Sequence, residues 1–114
     1  MHSVIRSDEL RATGSGSKKF EGEPYRSEVS FFVIGYDEPG RGPGLHRHPY
    51  SETWVIHAGT ARFTAGTEEV DAGPGDILVV EAGVPHKFVS TGTDRLDMVC
   101  IHAAPRMVQE ELER

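Results

Sequence analysis

The chain has 114 residues, twelve Lys and Arg against eighteen Asp and Glu, and a formal charge of −6. This length corresponds to one domain, and the scattered basic residues give none of the basic faces that bind nucleic acid. The sequence has no apolar run near the ~20 residues needed to cross a bilayer, and no apolar leader segment. The single cysteine, Cys100, cannot form an internal disulfide. We therefore expect a cytoplasmic protein with neither a nucleic-acid nor a membrane partner.

The predicted elements are short strands separated by glycine- and proline-rich turns. Residues 7–10 suit one helical turn, and residues 13–19, TGSGSKK, have the composition of a loop. The β-branched and aromatic run 29–36 is the first clear strand, and it is followed by a loop over 37–44. Further strands are predicted at 53–57, 61–64, 69–71, 77–80, 87–89 and 96–102.

This spacing of eight to ten residues predicts an all-β sandwich or barrel rather than a βαβ fold. After Pro105, the spacing of Met107, Val108 and Leu112 predicts a short amphipathic C-terminal helix. We expect one domain, with an N-terminal extension and first strands at 1–28, a barrel core at 29–104 and the helix at 105–114.

Three histidines and one glutamate have a spacing typical of a metal site. His46 and His48 are two residues apart, so on a strand their rings share one face. Glu52 follows four residues later, and His86 comes after a distant turn. Imidazole and carboxylate groups of this kind suit Fe, Mn, Ni, Cu or Zn. The alternative is an ordinary pair of surface or hydrogen-bonded histidines, which leaves the surrounding glycines and prolines unexplained.

These residues lie in two motifs that resemble those of the cupins. Residues 40–59 match every fixed position of G-x5-H-x-H-x3-E-x6-G. Residues 75–90 follow G-x5-P-x-G-x2-H-x3-N, except that Glu81 replaces the proline and Ser90 replaces the asparagine. The first change makes the turn into Gly83 less rigid, and the second removes an amide side chain.

The resemblance implies a jelly-roll barrel, or double-stranded β-helix, with a metal inside its mouth. Carried over residue by residue, it makes His46, His48, Glu52 and His86 the ligands of one divalent transition metal per chain.

Alternation along the strands predicts which neighbours point inward. Strand parity turns His57 outward, whereas an apolar or aromatic pocket forms around the site. The expected pocket residues are Phe31, Tyr50, Trp54, Ile56, Phe88, Met98 and Cys100. Such walls suit an apolar or aromatic small molecule better than a sugar nucleotide, which needs inward Arg or Lys for its phosphates.

Glu52 and His102 are the candidate catalytic residues. Glu52 is a ligand or a base, and His102 is a proton donor or acceptor near the metal, or a hydrogen-bonded core histidine. Three functions fit this site. They are an oxygenase acting on an apolar or aromatic metal-chelating compound, a metal-dependent isomerase or decarboxylase, and a binding or sensing module without turnover.

Small jelly rolls often cover exposed edge strands by pairing subunits. We therefore expect a homodimer, built on the stretches before Val29 and after Pro105.

Overall fold

The computed structural model describes residues 2–113. This part of the chain contains eleven strands and two single-turn 3-10 helices, joined by turns and loops. Helix Ser7–Glu9 is the predicted helical turn, and Glu23–Tyr25 is the second. The strands are β1 Arg11–Ala12, β2 Ser17–Phe20, β3 Ser30–Tyr36, β4 His46–Arg47, β5 Glu52–Ala58, β6 Thr60–Ala65, β7 Glu68–Ala72, β8 Ile77–Val80, β9 His86–Thr91, β10 Leu96–His102 and β11 Glu110–Glu111.

The strands form two antiparallel sheets. One has the order β1-β2-β3-β10-β5-β8 and the other has the order β11-β4-β9-β6-β7. Inward side chains from both sheets form one core, as in a jelly roll. This architecture confirms the all-β prediction. None of the helices in residues 2–113 is long and apolar enough to cross a membrane.

Burial alternates along the strands that carry the predicted site. Every second residue of β9 and β10 is buried, and β5 follows the same rule up to Ile56. The alternation arises because successive side chains point to opposite faces of a sheet. His57 lies at a register shift between β5 and β10 and is exposed. On these strands the inward residues are therefore the ones that parity predicts.

Two motif glycines hold turns with a positive φ, which favours glycine. Gly59 has a φ of 78° between β5 and β6, and a Cβ there would lie 2.4 Å from the Arg95 carbonyl oxygen. Gly83 has a φ of 81°, and its N–H donates to the His48 carbonyl at 2.8 Å. This bond joins the turn of the second motif to the histidines of the first.

The predicted C-terminal helix is wrong. Residues 105–109 are irregular, and Glu110–Glu111 form β11, which pairs with β4. Tertiary partners take backbone groups that a helix would pair with each other: the N–H of Leu112 donates to the Leu45 carbonyl at 2.9 Å, and the Val108 carbonyl accepts from Nδ1 of His48 at 2.7 Å. An isolated helix of this length is marginal in water, so these bonds decide the conformation. Arg114 lies outside the described residues.

The predicted loop over 13–19 is shorter than its composition indicates. The turn closes by a bond from the Thr13 N–H to the Ser17 carbonyl at 2.9 Å, and Gly14 and Gly16 both have positive φ. From Ser17 onward the chain is strand β2, paired with β3. Strand pairing therefore overrides the loop composition of residues 17–19.

Candidate metal centre

Three strands of two sheets bring the four predicted ligands together. His46 lies on β4 opposite His86 on β9, Glu52 begins β5, and His48 lies between β4 and β5. One donor atom from each residue lies within 4.8 Å of the others. All four side chains belong to residues that are 5% exposed or less. The sequence-predicted set therefore converges on one buried point.

Each of the three histidine rings is oriented by a backbone carbonyl. Nδ1 lies 2.7 Å from the Gly44 oxygen in His46, 2.7 Å from the Val108 oxygen in His48 and 2.8 Å from the Val84 oxygen in His86. A carbonyl only accepts, so Nδ1 carries the ring proton in each case. Nε2 is left to face the cluster, as metal-binding histidines require.

The inward atoms fit a cation. Oε1 of Glu52 lies 3.0 Å from Nε2 of His48 and 2.9 Å from Nε2 of His86. A neutral ring with its proton on Nδ1 presents a lone pair at Nε2, so these atoms approach closely only around positive charge, either ring protons or a metal ion. Burial lowers the pKa of His46, against the bond to Gly44, and this favours the neutral form that binds metals.

A second pair of groups fixes the other oxygen of Glu52. The indole N–H of Trp54 donates to Oε2 at 2.7 Å, and Nε2 of His102 lies 3.5 Å from the same oxygen. Burial opposes ionisation of Glu52, but the ring nitrogens of His102, His48 and His86 beside the carboxyl outweigh it and hold its pKa well below the ordinary value. The structure therefore presents an ionised carboxylate with Oε1 toward the histidine cluster.

His102 has the opposite arrangement to the three ligand histidines. The Val108 N–H donates to the Tyr50 hydroxyl, which leaves that hydroxyl to donate to Nδ1 of His102 at 2.7 Å. The proton of a neutral His102 then lies on Nε2, toward Glu52. Burial raises the pKa of Tyr50, so its hydroxyl keeps its proton. His102 thus supports Glu52 from outside the four-residue cluster.

A cavity of about 260 Å³ opens onto the cluster. Of the predicted pocket residues, Trp54, Phe88 and Cys100 line it, together with Glu52 and His102. The remaining lining residues are Thr13, Ser17, Lys19, Phe32, Ile34, Pro43, His46 and Gln109.

The other four predicted pocket residues lie elsewhere. Ile56 and Met98 pair across β5 and β10 in the buried core. Tyr50 stacks on His48 with ring centroids 5.0 Å apart, behind the ligand. Phe31 stacks on Phe20 at 4.7 Å, because the inward side chains of β3 are Phe32 and Ile34. Val33 is two residues from Phe31, so both side chains point to the same face of β3, and the exposure of Val33 shows that this is the outer face.

The serine that replaces the motif asparagine has a structural role. The Ser90 hydroxyl donates to the Glu38 carbonyl at 2.8 Å and accepts the Arg41 N–H at 3.0 Å. It thereby fixes the loop that leads to His46. Glu81 is exposed, and its carbonyl accepts the Val84 N–H in the turn around Gly83.

The family model for the cupin domain matches residues 34–102. This is more than half of the chain, so the chain belongs to the cupin family.

Known proteins are similar to this chain, in structure or in sequence, at low sequence identity. An uncharacterised Klebsiella pneumoniae protein with a double-stranded β-helix domain matches over the full length of both chains, with a TM-score of 0.75 and 20% identity. A Bacillus subtilis oxalate decarboxylase with Mn(II) centres has a TM-score of 0.78 and 19% identity, over 90% of this chain and 29% of that one. Mannose-1-phosphate guanylyltransferase ManC of Salmonella typhimurium is 24% identical over 94% of this chain, which spans 25% of that relative.

Proposed function

We propose that this cupin is a metal-dependent oxygenase for a small apolar or aromatic compound that binds the metal through oxygen. The observation that carries the proposal is the buried cluster of three histidines and one glutamate at the end of an apolar-walled cavity. His46, His48, Glu52 and His86 would hold one divalent transition metal. When bound, the metal supplies Lewis acidity and open coordination positions for oxygen donors.

The walls and the size of the cavity support a small apolar or aromatic substrate. Phe32, Trp54, Phe88, Ile34 and Cys100 form apolar walls, and the volume of about 260 Å³ lies below the roughly 300–1,000 Å³ of pockets for drug-sized ligands. The chain therefore suits a compact molecule with an apolar or aromatic body.

Two side chains are placed to handle the proton of an enol or phenol. The carboxylate of Glu52 faces the cavity, and Nε2 of His102 lies 3.5 Å from it. The Tyr50 hydroxyl binds Nδ1 of His102, so the proton acceptor Glu52 and its supporting donor His102 are pre-oriented. We assign this proton to the Glu52–His102 pair, and the lowered pKa of Glu52 restricts the role to an acidic enol or phenol.

A specific observation favours a second candidate, a decarboxylase. The similarity to an oxalate decarboxylase with Mn(II) centres extends over 90% of this chain. The same residues would then hold Mn, and the substrate would be a carboxylic acid. A third candidate, a binding module without turnover, uses the same cavity.

One experiment separates the three. Purified protein loaded with Fe, Mn or Cu is supplied with a panel of phenols, enols and small carboxylic acids, while oxygen uptake and carbon dioxide release are recorded. An oxygenase consumes oxygen in step with substrate, a decarboxylase releases carbon dioxide without net oxygen uptake, and a binding module does neither.

The matched variants are His86→Ala and His57→Ala. His86 belongs to the cluster, whereas His57 is exposed on β5 outside it. Loss of turnover and of metal in His86→Ala, with both retained in His57→Ala, supports the proposed centre. Turnover that survives His86→Ala contradicts it.

We also propose a homodimer, formed through the outer face of the six-stranded sheet in place of the stretches before Val29 and after Pro105. The paired rows Val33-Val99-Val55-Ile77 and Phe31-Ile101-Thr53-Val79 cross four strands of this face. Ile77 and Val79 on the edge strand β8 are 64% and 66% exposed. These eight side chains include no charge, so a second copy can cover the face by two-fold symmetry without burying an unpaired ion.

Light scattering tests the dimer. We expect the mass of two chains for the wild type and for Val70→Asp, an exposed valine on the other sheet. Val79→Asp should give the mass of one chain. A wild-type mass of one chain at micromolar concentration overturns the proposal.

A further inference from the structure

A lysine lies on the inner face of the six-stranded sheet. Lys19 of β2 pairs with Phe32 of β3, Phe32 pairs with Cys100 of β10, and Cys100 pairs with Trp54 of β5. All four residues line the cavity. Lys19 therefore ends the apolar part of this row, and Arg11 of the edge strand β1 pairs with it on the other side.

The ammonium group of Lys19 retains capacity for a ligand. Its side chain is 22% exposed, and Nζ forms an ion pair with Oε1 of Glu21 at 3.7 Å, a distance at which no hydrogen bond uses its donors. Oε2 of Glu21 accepts the Met107 N–H at 2.9 Å, so Glu21 is held toward the C-terminal segment. An ammonium carries three donors and gains most from an acceptor where water is partly excluded.

The cavity thus has two polar ends. His46, Glu52 and His102 mark the metal end. Lys19 marks the other end, beside Ser17 and Thr13, whose hydroxyls are 2.9 Å apart. Aromatic and aliphatic side chains form the walls between the ends.

We propose that Lys19 binds a carboxylate of the substrate, so that the substrate is a small apolar or aromatic carboxylate with a second, metal-chelating oxygen group. The inference rests on the proposed function, because the second group occupies the metal end. Lys19 is then a specificity-determining residue. The chain carries a formal charge of −6, which repels anions, so a carboxylate ligand requires a positive charge at its binding site.

The donors at this end match a carboxylate better than a phosphate. Lys19 is the one Lys or Arg among the described residues that line the cavity, and two hydroxyls accompany it. A phosphoryl group with nearly two negative charges calls for several cationic donors. One ammonium that already faces Glu21 at 3.7 Å suits a single negative charge better than a double one.

Two diols that differ in one carboxylate test the proposal. Zinc-loaded protein, which is redox-inert, is titrated calorimetrically with catechol and with 3,4-dihydroxybenzoate. Both probes chelate a metal through the diol, and the second also carries a carboxylate at the far side of the ring. We expect the wild type to bind 3,4-dihydroxybenzoate at least about tenfold more tightly than catechol, the gain of one charge-assisted contact.

The variants use two neighbouring lysines. Lys19→Met should bind the two diols with equal affinity, and Lys19→Arg should keep a preference for the carboxylate. Lys18→Met is the matched control, because Lys18 donates to the Ser7 carbonyl at 3.2 Å and lies outside the cavity lining. Lys19→Gln provides a polar alternative if the methionine variant does not fold.

The outcomes separate this inference from the proposed function. A preference that persists in both Lys19→Met and Lys19→Gln overturns the role of Lys19, and so does a zinc-loaded wild type that binds both diols equally or neither. Zinc content measured on the same samples tests the metal centre. A wild type that retains no zinc refutes the proposed function, whereas a zinc-loaded Lys19→Met without carboxylate preference supports both.

Discussion

The two motif segments and the two terminal segments contribute differently to this site. Residues 40–59 and 75–90 supply all four clustered donors. The termini supply what surrounds the donors: Lys19 on the cavity wall, and the Val108 carbonyl that orients His48. The motifs therefore define a general metal centre, and the termini adapt it to this chain.

The difference shows which changes abolish the site and which adjust it. The four donor atoms lie within 4.8 Å of one another, so the loss of any one of these residues removes a ligand of the proposed metal. The surrounding contacts act through orientation and through the cavity. We expect changes in the motifs to remove metal binding, and changes in the termini to weaken it or to alter ligand preference.

Glu52→Gln should have the largest effect. It removes the negative charge at the centre of the cluster while keeping nearly the same shape. Metal affinity should fall by more than the roughly 10- to 100-fold that losing an orienting partner costs. Metal content after dialysis against a weak chelator measures this loss. Glu81→Gln, an exposed glutamate of the second motif, is the control, and equal metal retention in both variants would count against Glu52 as a ligand.

Deletion of residues 107–114 should come next. It removes the Val108 carbonyl that accepts from Nδ1 of His48 at 2.7 Å, and metal affinity should fall about 10- to 100-fold. A metal titration followed by circular dichroism separates weaker binding from unfolding. Deletion of residues 1–5 is the control at the other terminus. Unchanged affinity in a folded 107–114 deletion would show that this segment does not support the site.

Trp54→Phe should have a smaller effect, about tenfold in metal affinity. The variant loses the indole donor that holds Oε2 of Glu52 at 2.7 Å. Phe63→Leu is the matched control, since Phe63 packs on Trp54 with ring centroids 4.5 Å apart. Both variants should lower the melting temperature, but Trp54→Phe alone should weaken metal binding. Equal metal affinities in the two variants would refute the orienting role.

The smallest effect is expected at Cys100, whose thiol should not react with a labelling reagent in the native protein. Burial raises the pKa of its thiol well above the ordinary value, and the charge of Glu52 adds to this. The reactive thiolate is therefore scarce at neutral pH. We expect a disulfide reagent to label Cys100 in denaturant but not in the native protein. Rapid native labelling would mean that the cavity opens further than the structure shows.

The sequence predicted the parts of the molecule that local rules determine. Glycines at fixed spacing and alternation along β5, β9 and β10 were sufficient to place Glu52, His86 and His102 on the inside. The spacing of His46 and His48 predicted a shared direction, and the structure brings both rings to one cluster.

Tertiary contacts account for the rest. Met107, Val108 and Leu112 have a spacing compatible with a helix, but Leu45 and His48 bind the Leu112 N–H and the Val108 carbonyl, which a helix would pair with each other. Lys19 follows a glycine- and serine-rich stretch, and only its pairing with Phe32 reveals that it lies on the inner face. The inward parity of β3 likewise depends on its partner β10, which places Phe32 rather than Phe31 at the cavity.

X-ray absorption at the zinc edge of the zinc-loaded protein tests the metal centre most directly. We predict one zinc ion per chain, with three imidazole nitrogens at about 2.0–2.1 Å and at least one oxygen ligand. The same measurement on His57→Ala should be unchanged, and His86→Ala should lose one imidazole or the metal altogether. Fewer than three imidazoles in the wild type, or no zinc retained, would contradict the account.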